Sequence, residues 1–261
     1  MSAAVVTGRR PWRPSPLLLA LAAAIAVGWG ISAWAEASGA AAQVHHHALY
    51  HGTLGVWTSV LLVMASWQSM TAAMMLPSSV PFTVLFARTA RRAPRYPLTI
   101  TLFLLAYFAV WTVFAAWAFL ADWLLHTVVH GSAWLTAHDQ VIAAGTLGLA
   151  AAYQLSPLKD ACLRTCRNPG AYMLRFYRRG PLAGARLGLE HGMFCLGCCW
   201  ALMLVMFAVG VAHLAWMGVL AIVMLAEKAA PWGDRVVVPV AACLGVLAVA
   251  ALAVPGSVPG M

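Results

Sequence analysis

Apolar residues run along this chain in long blocks separated by short polar or basic connectors. A block of roughly 20 apolar residues is long enough to cross a bilayer as a helix, and such blocks recur over the whole length. Leu17 to Trp34 is the first. Thr53 to Ala87 is apolar almost throughout and too long for one untilted span. Pro77 and Pro81 supply a break there, which predicts a helix from about Leu54 to Leu76 followed by a turn or short re-entrant piece. Leu98 to Ala121, Val141 to Ser156 and Leu187 to His213 follow, with Leu214 to Ala226 as a short sixth block and Val236 to Val254 as the seventh. The pattern predicts an all-α, polytopic transmembrane helix bundle of about seven spans, with residues 1–261 forming one integral membrane domain. The first block resembles a signal peptide, but it is longer than a typical h-region, so we read it as an uncleaved helix.

Composition sharpens this picture. Hydrophobic residues make up 63% of the chain and charged residues only 9%, against about 25% charged in soluble domains. The net charge of +9 does not imply nucleic acid, because the basic residues sit in short connectors and no basic patch with interleaved aromatics is present. With the N-terminus inside and the spans alternating, all 16 Lys and Arg fall in inside segments. They lie near Arg9, in the connector from Arg88 to Arg95, in the long polar stretch Leu158 to Arg186, and at Lys228 and Arg235. The rule that positive charge stays inside is satisfied throughout, as expected for a protein of the bacterial inner membrane. Histidines sort the other way: eight of the nine fall in outside segments or near the outer end of the fifth span, and only His191 lies near the inner half.

The candidate chemistry centres on Glu190-His191-Gly192-Met193-Phe194-Cys195-Leu196-Gly197-Cys198-Cys199-Trp200. On a helix, His191, Cys195 and Cys198 share one narrow stripe, with Cys199 beside it and Glu190 just before. Thiol and imidazole are soft donors suited to copper, zinc or iron–sulfur clusters, and ionisable groups inside an apolar segment are functional candidates by default. Small cysteines also simply fill space in packed helices. In the second span Met70 and Met74 are four residues apart, and their thioethers favour Cu(I) or serve as packing. His126 and His130 share the same spacing on the outside, and His45, His46, His47 and His51 form a short His-rich tract. Cys162 and Cys166 share a face in the basic stretch, near Lys159 and Arg164, where cations favour thiolates. Cys195-x-x-Cys198 lacks the βαβ surroundings of a thioredoxin-like site. Phosphate loops, dinucleotide fingerprints and hydrolase motifs do not occur, and no catalytic residue emerges.

Several motifs together resemble a known family. They are Trp67-x-x-Met70 with Ala73-Met74-Met75-x-Pro77, and Tyr153-Gln154-x-x-Pro157-Leu158-Lys159-x-x-Cys162-Leu163-x-x-Cys166-Arg167. Gly188-x-x-x-Gly192-x-x-Cys195-x-Gly197-Cys198-Cys199-Trp200 and Glu227-Lys228 follow in order. The set resembles the bacterial family of predicted metal-binding integral membrane proteins, over residues 54–228. The resemblance implies a polytopic inner-membrane protein with a metal site and no settled substrate. Taken with the soft donors, the expectation is a membrane protein that binds a transition metal, copper first, and takes part in its transport or delivery. Its partners would be the bilayer, the metal ion, and a metallochaperone or partner membrane protein. A membrane thiol–disulfide redox protein and a non-catalytic structural or assembly subunit are the alternatives.

Overall fold

The computed structural model describes residues 15–40, 55–138, 140–209 and 213–253. The His45–His51 tract lies outside the described residues. For His126 and His130 the description covers backbone and not side chain. Among the described residues the chain is all-helical. The elements are α1 (Pro16–Ala37), α2 (Val56–Met74), α3 (Leu76–Ala90), α4 (Tyr96–His130), α5 (Ala133–Ala137), α6 (Gln140–Gln154), α7 (Pro157–Arg167), α8 (Pro169–Phe176), α9 (Pro181–Val209), α10 (Leu214–Ala229) and α11 (Gly233–Ala253). Four helices are long and apolar enough to cross a membrane. Two bent pairs, α2 with α3 and α6 with α7, raise the number to six if each is one span. The sixth block of the sequence forms α10, whose 16 residues are short for a crossing.

Local chemistry explains the breaks. Between α2 and α3 the chain bends by 69° at Met75. Pro77 has no N–H to give to the carbonyl of Ala73, four residues back. The indole Nε1 of Trp29 on α1 donates to that carbonyl instead, at 3.1 Å. Between α6 and α7 the bend is 62°. There Ser156 caps α7 by accepting from the Lys159 N–H at 3.1 Å, and Pro157 takes the first turn. Asp160 lies in the first turn of α7, and Arg164 and Arg167 lie in its last, each complementing the helix dipole. The long polar stretch of the sequence therefore folds into two short helices, α7 and α8. The third block also runs further than its apolar core indicates: α4 continues past Ala121 as one helix to His130.

Helix α9 is the centre of the bundle and packs along α4, with α6 and α7 also against it. The contact with α4 depends on glycine. A Cβ on Gly184 would meet the Thr99 carbonyl oxygen at 2.5 Å, and one on Gly188 would overlap the Phe103 carbonyl. Small residues of this kind let two helix backbones approach closely in an apolar surrounding. The first helix is part of the core: a Cβ on Gly28 would lie 2.7 Å from the Ser69 carbonyl of α2. Outer faces carry exposed large apolar side chains, among them Leu61, Leu105, Trp117, Ile222 and Val246.

Candidate metal centre

Three cysteines project from the middle of α9, and all three are buried. Cys195 and Cys199 are one helical turn apart and face α10. The Lys228 ammonium reaches between them, 3.2 Å from Cys195 Sγ and 3.6 Å from Cys199 Sγ. The Tyr107 hydroxyl of α4 lies 3.3 Å from Cys195 Sγ and accepts from Ser79 Oγ at 3.0 Å. Cys199 Sγ lies 3.6 Å from Met75 Sδ, at the corner between α2 and α3. The bend at Pro77 thus turns a thioether towards the thiols. Cys198 points to another side and stands 4.0 Å from Cys166 of α7, sulfur to sulfur. Cys198 and Cys199 both donate to the Cys195 carbonyl, at 3.1 and 2.8 Å, so the two sulfur groups share one turn of backbone.

The remaining candidates from the sequence are dispersed. Met70 and Met74 are fully packed in the apolar core; the thioether that meets a thiol is that of Met75. His191 is buried, its ring stacked on Phe82 with centroids 4.1 Å apart and flanked by Phe103 and Tyr107. Its Nε2 has no hydrogen-bond partner, and it shares a tight crevice with Cys166. Glu190 bonds to Tyr172 at 2.6 Å and to Arg186 at 2.8 Å. Tyr172 lies outside the long apolar helices, and burial, followed by its bond to Glu190, raises its phenol above the ordinary tyrosine value. Cys162 packs on α9, where a Cβ at Gly197 would come 2.6 Å from its sulfur. The cations near Cys162 and Cys166 are occupied elsewhere: Lys159 pairs with Glu227 at 2.6 Å and Arg164 with Asp160 at 2.7 Å.

Lys159, Glu227 and Gln154 form a second polar island. Lys159 and Glu227 are each 1% exposed. Gln154 donates to Glu227 at 2.8 Å and accepts from Lys159. Arg167 donates to the Ala230 carbonyl at 3.1 Å, close to the end of α10. This island fixes α10 against α7 and so sets where Lys228, the next residue, enters the thiol group.

The donor set can be tested against a metal. Metal–thiolate bonds of about 2.3 Å place two sulfurs on one ion roughly 3.8–4.0 Å apart at tetrahedral to trigonal angles. The Cys199–Met75 separation of 3.6 Å and the Cys166–Cys198 separation of 4.0 Å lie close to that range. No group of three or more His, Cys, Asp and Glu is arranged to hold a metal among the described residues. Here the further sulfur is a thioether, and a lysine lies between two of the thiols. Such an all-sulfur set is soft and suits Cu(I).

The family model of the PpoB2 copper chaperones matches residues 64–251. The chain belongs to that family. The matched stretch holds Met75, Tyr107, Cys166, the three cysteines of α9 and Lys228, so the whole sulfur group lies within the copper chaperone match. Neither a curated protein nor a solved structure matches the chain.

The spacing of residues along the chain singles out the cysteines of α9 but not Met75, Tyr107 or Lys228, which the fold places beside Cys195 and Cys199. For Met75 the signal was Pro77: a proline two residues on ends the helical phase, so spacing counted from Met70 no longer says which way the chain faces. For Lys228 the signal was a Glu-Lys pair closing an apolar helix with no polar connector before it.

Proposed function

We propose that this chain is a multi-pass protein of the bacterial inner membrane that holds Cu(I) in its core and delivers it to a partner protein. The observation that carries the reading is the convergence of Cys195, Cys199 and Met75 from two parts of the chain, within 3.6 Å at Cys199–Met75. The family match supports copper as the cargo. The exposed apolar side chains on the outer faces fit lipid, because surfaces of this kind are otherwise rare in soluble monomers. Counted from Leu187, Cys195 is eight residues along α9, about 12 Å into a core of roughly 30 Å.

In this reading Cys195, Cys199 and Met75 form the holding site, and Cys166 with Cys198 forms a second station beside α7. Cys198 lies on the same turn as Cys195, so an ion can change stations by exchanging one sulfur at a time. Thiols give up their protons as they ligate. His126, His130 and the His45–His51 tract collect metal on the outer side. The N-terminus is inside: reporter fusions after Gly131 and Gly180 should read outside and inside respectively, and the opposite pattern removes the topology.

The test of the centre is competition for Cu(I) against a chromophoric chelator, in detergent with reductant. The wild-type protein should take one tight equivalent, and Cys195→Ser with Cys199→Ser should lose it. If the double variant binds as tightly as wild type, the sulfur group is not the site. The Cys166–Cys198 proximity also suits a thiol redox pair. Thiol labelling that responds to oxidant, in a protein that takes up no copper, would move the reading there.

A further inference from the structure

Lys228 is 8% exposed. Its ammonium meets two thiol sulfurs and, at 3.4 Å, the Ser78 hydroxyl. No carboxylate is among these partners. The adjacent Glu227 carboxylate is committed to Lys159 at 2.6 Å and to Gln154 at 2.8 Å. The Lys159–Glu227 pair is therefore neutral by itself, and Lys228 brings one uncompensated positive charge to the sulfur group. An isolated ion in a low-dielectric interior is costly, so a bound state without net charge is strongly favoured.

We infer that Lys228 sets the valence of the metal that the centre admits. The inference rests on the copper reading above. Metal binding sends the protons of Cys195 and Cys199 to water, leaving two thiolates. Two thiolates and one ammonium carry a net charge of minus one. A single soft monovalent ion, Cu(I) or Ag(I), brings the group to neutrality. A divalent ion such as Zn(II), which binds thiolates well, either leaves one positive charge buried in the bundle or must also drive the proton off Lys228 to water, a cost that a monovalent ion does not meet. Met75 contributes a neutral donor and does not alter this balance. Ser78 gives the ammonium an acceptor outside the thiols, so the charge can stay close to a loaded centre. Lys228 is in this sense a positioning residue for charge: it ligates nothing and decides which ion is balanced.

The experiment measures Ag(I) and Zn(II) affinities of the full-length protein in detergent, by chelator competition under reductant. Wild type should prefer Ag(I) through Cys195 and Cys199. Lys228→Met removes the charge, so the preference for Ag(I) over Zn(II) should fall by at least about 100-fold, with Zn(II) binding gained. Lys228→Arg keeps the charge and should keep the wild-type order of preference. Ser78→Asp keeps Lys228 but adds a negative charge beside it, and should also admit Zn(II). This second variant decides the matter if Lys228→Met does not fold, as judged by size-exclusion profile. If wild type binds Ag(I) through the two cysteines while the folded variants keep its Ag(I)-to-Zn(II) ratio, the valence role is overturned and the copper reading stands. If wild type binds neither Ag(I) nor Cu(I) there, both fall.

Discussion

Two lysines are buried in this bundle, and their surroundings differ. Lys159 meets a carboxylate and an amide oxygen in a closed island. Lys228 meets two thiols and a hydroxyl. They are held by neighbouring positions of α10, since the carboxylate that neutralises Lys159 belongs to Glu227. A cation with a permanent carboxylate partner is a finished structural unit. A cation whose partners are two thiols and a hydroxyl has no standing counter-charge, and belongs to a unit that can accept something else. Burial of a lysine is thus a poor guide to function here, and the identity of its partners is a good one.

The comparison breaks most visibly at the structural lysine. Removing one partner of a buried ion pair leaves an unpaired charge, which costs about 3–5 kcal/mol. Glu227→Gln and Lys159→Met should each lower the unfolding midpoint in detergent sharply. Replacing both, as Lys159→Met with Glu227→Met, should recover much of the loss, because a buried pair contributes little over an apolar replacement of similar volume. If the single variants unfold at the wild-type temperature, Lys159 and Lys228 are not different in kind.

A smaller effect is expected where the helices of the centre are pressed together. Gly188→Ala places a methyl against the Phe103 carbonyl, and over-packing of this sort costs about 1–3 kcal/mol. Tyr107, one turn further along α4, touches Cys195. The variant should therefore weaken Cu(I) binding as well as stability, while the Lys159–Glu227 island stays intact. Unchanged binding would show that α4 only supports α9 and does not shape the centre.

Much of this architecture was legible in the pattern of residues, because its causes are local. Pro77 and Pro157 mark the two bends, and the apolar blocks mark the long helices. The glycines that precede Cys195 indicate a close helix contact, although not that α4 is the partner. What could not be read depends on tertiary placement. Lys159 and Lys228 look like cytoplasmic connector charges when only sign and order along the chain are counted; both are enclosed by helices that meet far apart in sequence. The spacing of His191, Cys195 and Cys198 is that of one helical stripe, but Cys198 turns to Cys166 of α7. Yet Phe82 from α3 stacks on His191, and Lys228 takes up Cys195 and Cys199. The spacing of Met70 and Met74 describes one face of a straight helix, whereas the thioether beside a thiol comes from the bend itself.

A third comparison separates the two sulfur stations. Cys166→Ser leaves Cys195, Cys199 and Met75 untouched, so the equilibrium affinity for one Cu(I) should stay within about threefold, under 1 kcal/mol. Release of copper to a competing chelator should slow, because the second station has lost a sulfur. Cys162→Ser should change neither quantity, since that thiol packs on Gly197. Stopped-flow transfer to the chelator measures both. Equal slowing by the two variants would mean that α7 acts through packing and not through a sulfur relay.

The smallest effect sharpens the assignment of the thioether. Met75→Leu is a swap of similar volume and should cost under about 1.5 kcal/mol in stability. It removes one neutral sulfur while keeping both thiols and Lys228, so charge balance is preserved and only a ligand is lost. Cu(I) affinity should weaken by about tenfold, or 1.4 kcal/mol, with the Ag(I)-over-Zn(II) order intact. Met74→Leu makes the same chemical change one residue earlier, in a side chain packed wholly within the core, and should leave affinity within about twofold. The two substitutions share composition, volume and neighbourhood and differ only in the direction that the bend at Pro77 imposes. If Met74→Leu weakens binding and Met75→Leu does not, the thioether comes from the straight part of α2, and the 3.6 Å contact between Cys199 and Met75 is packing.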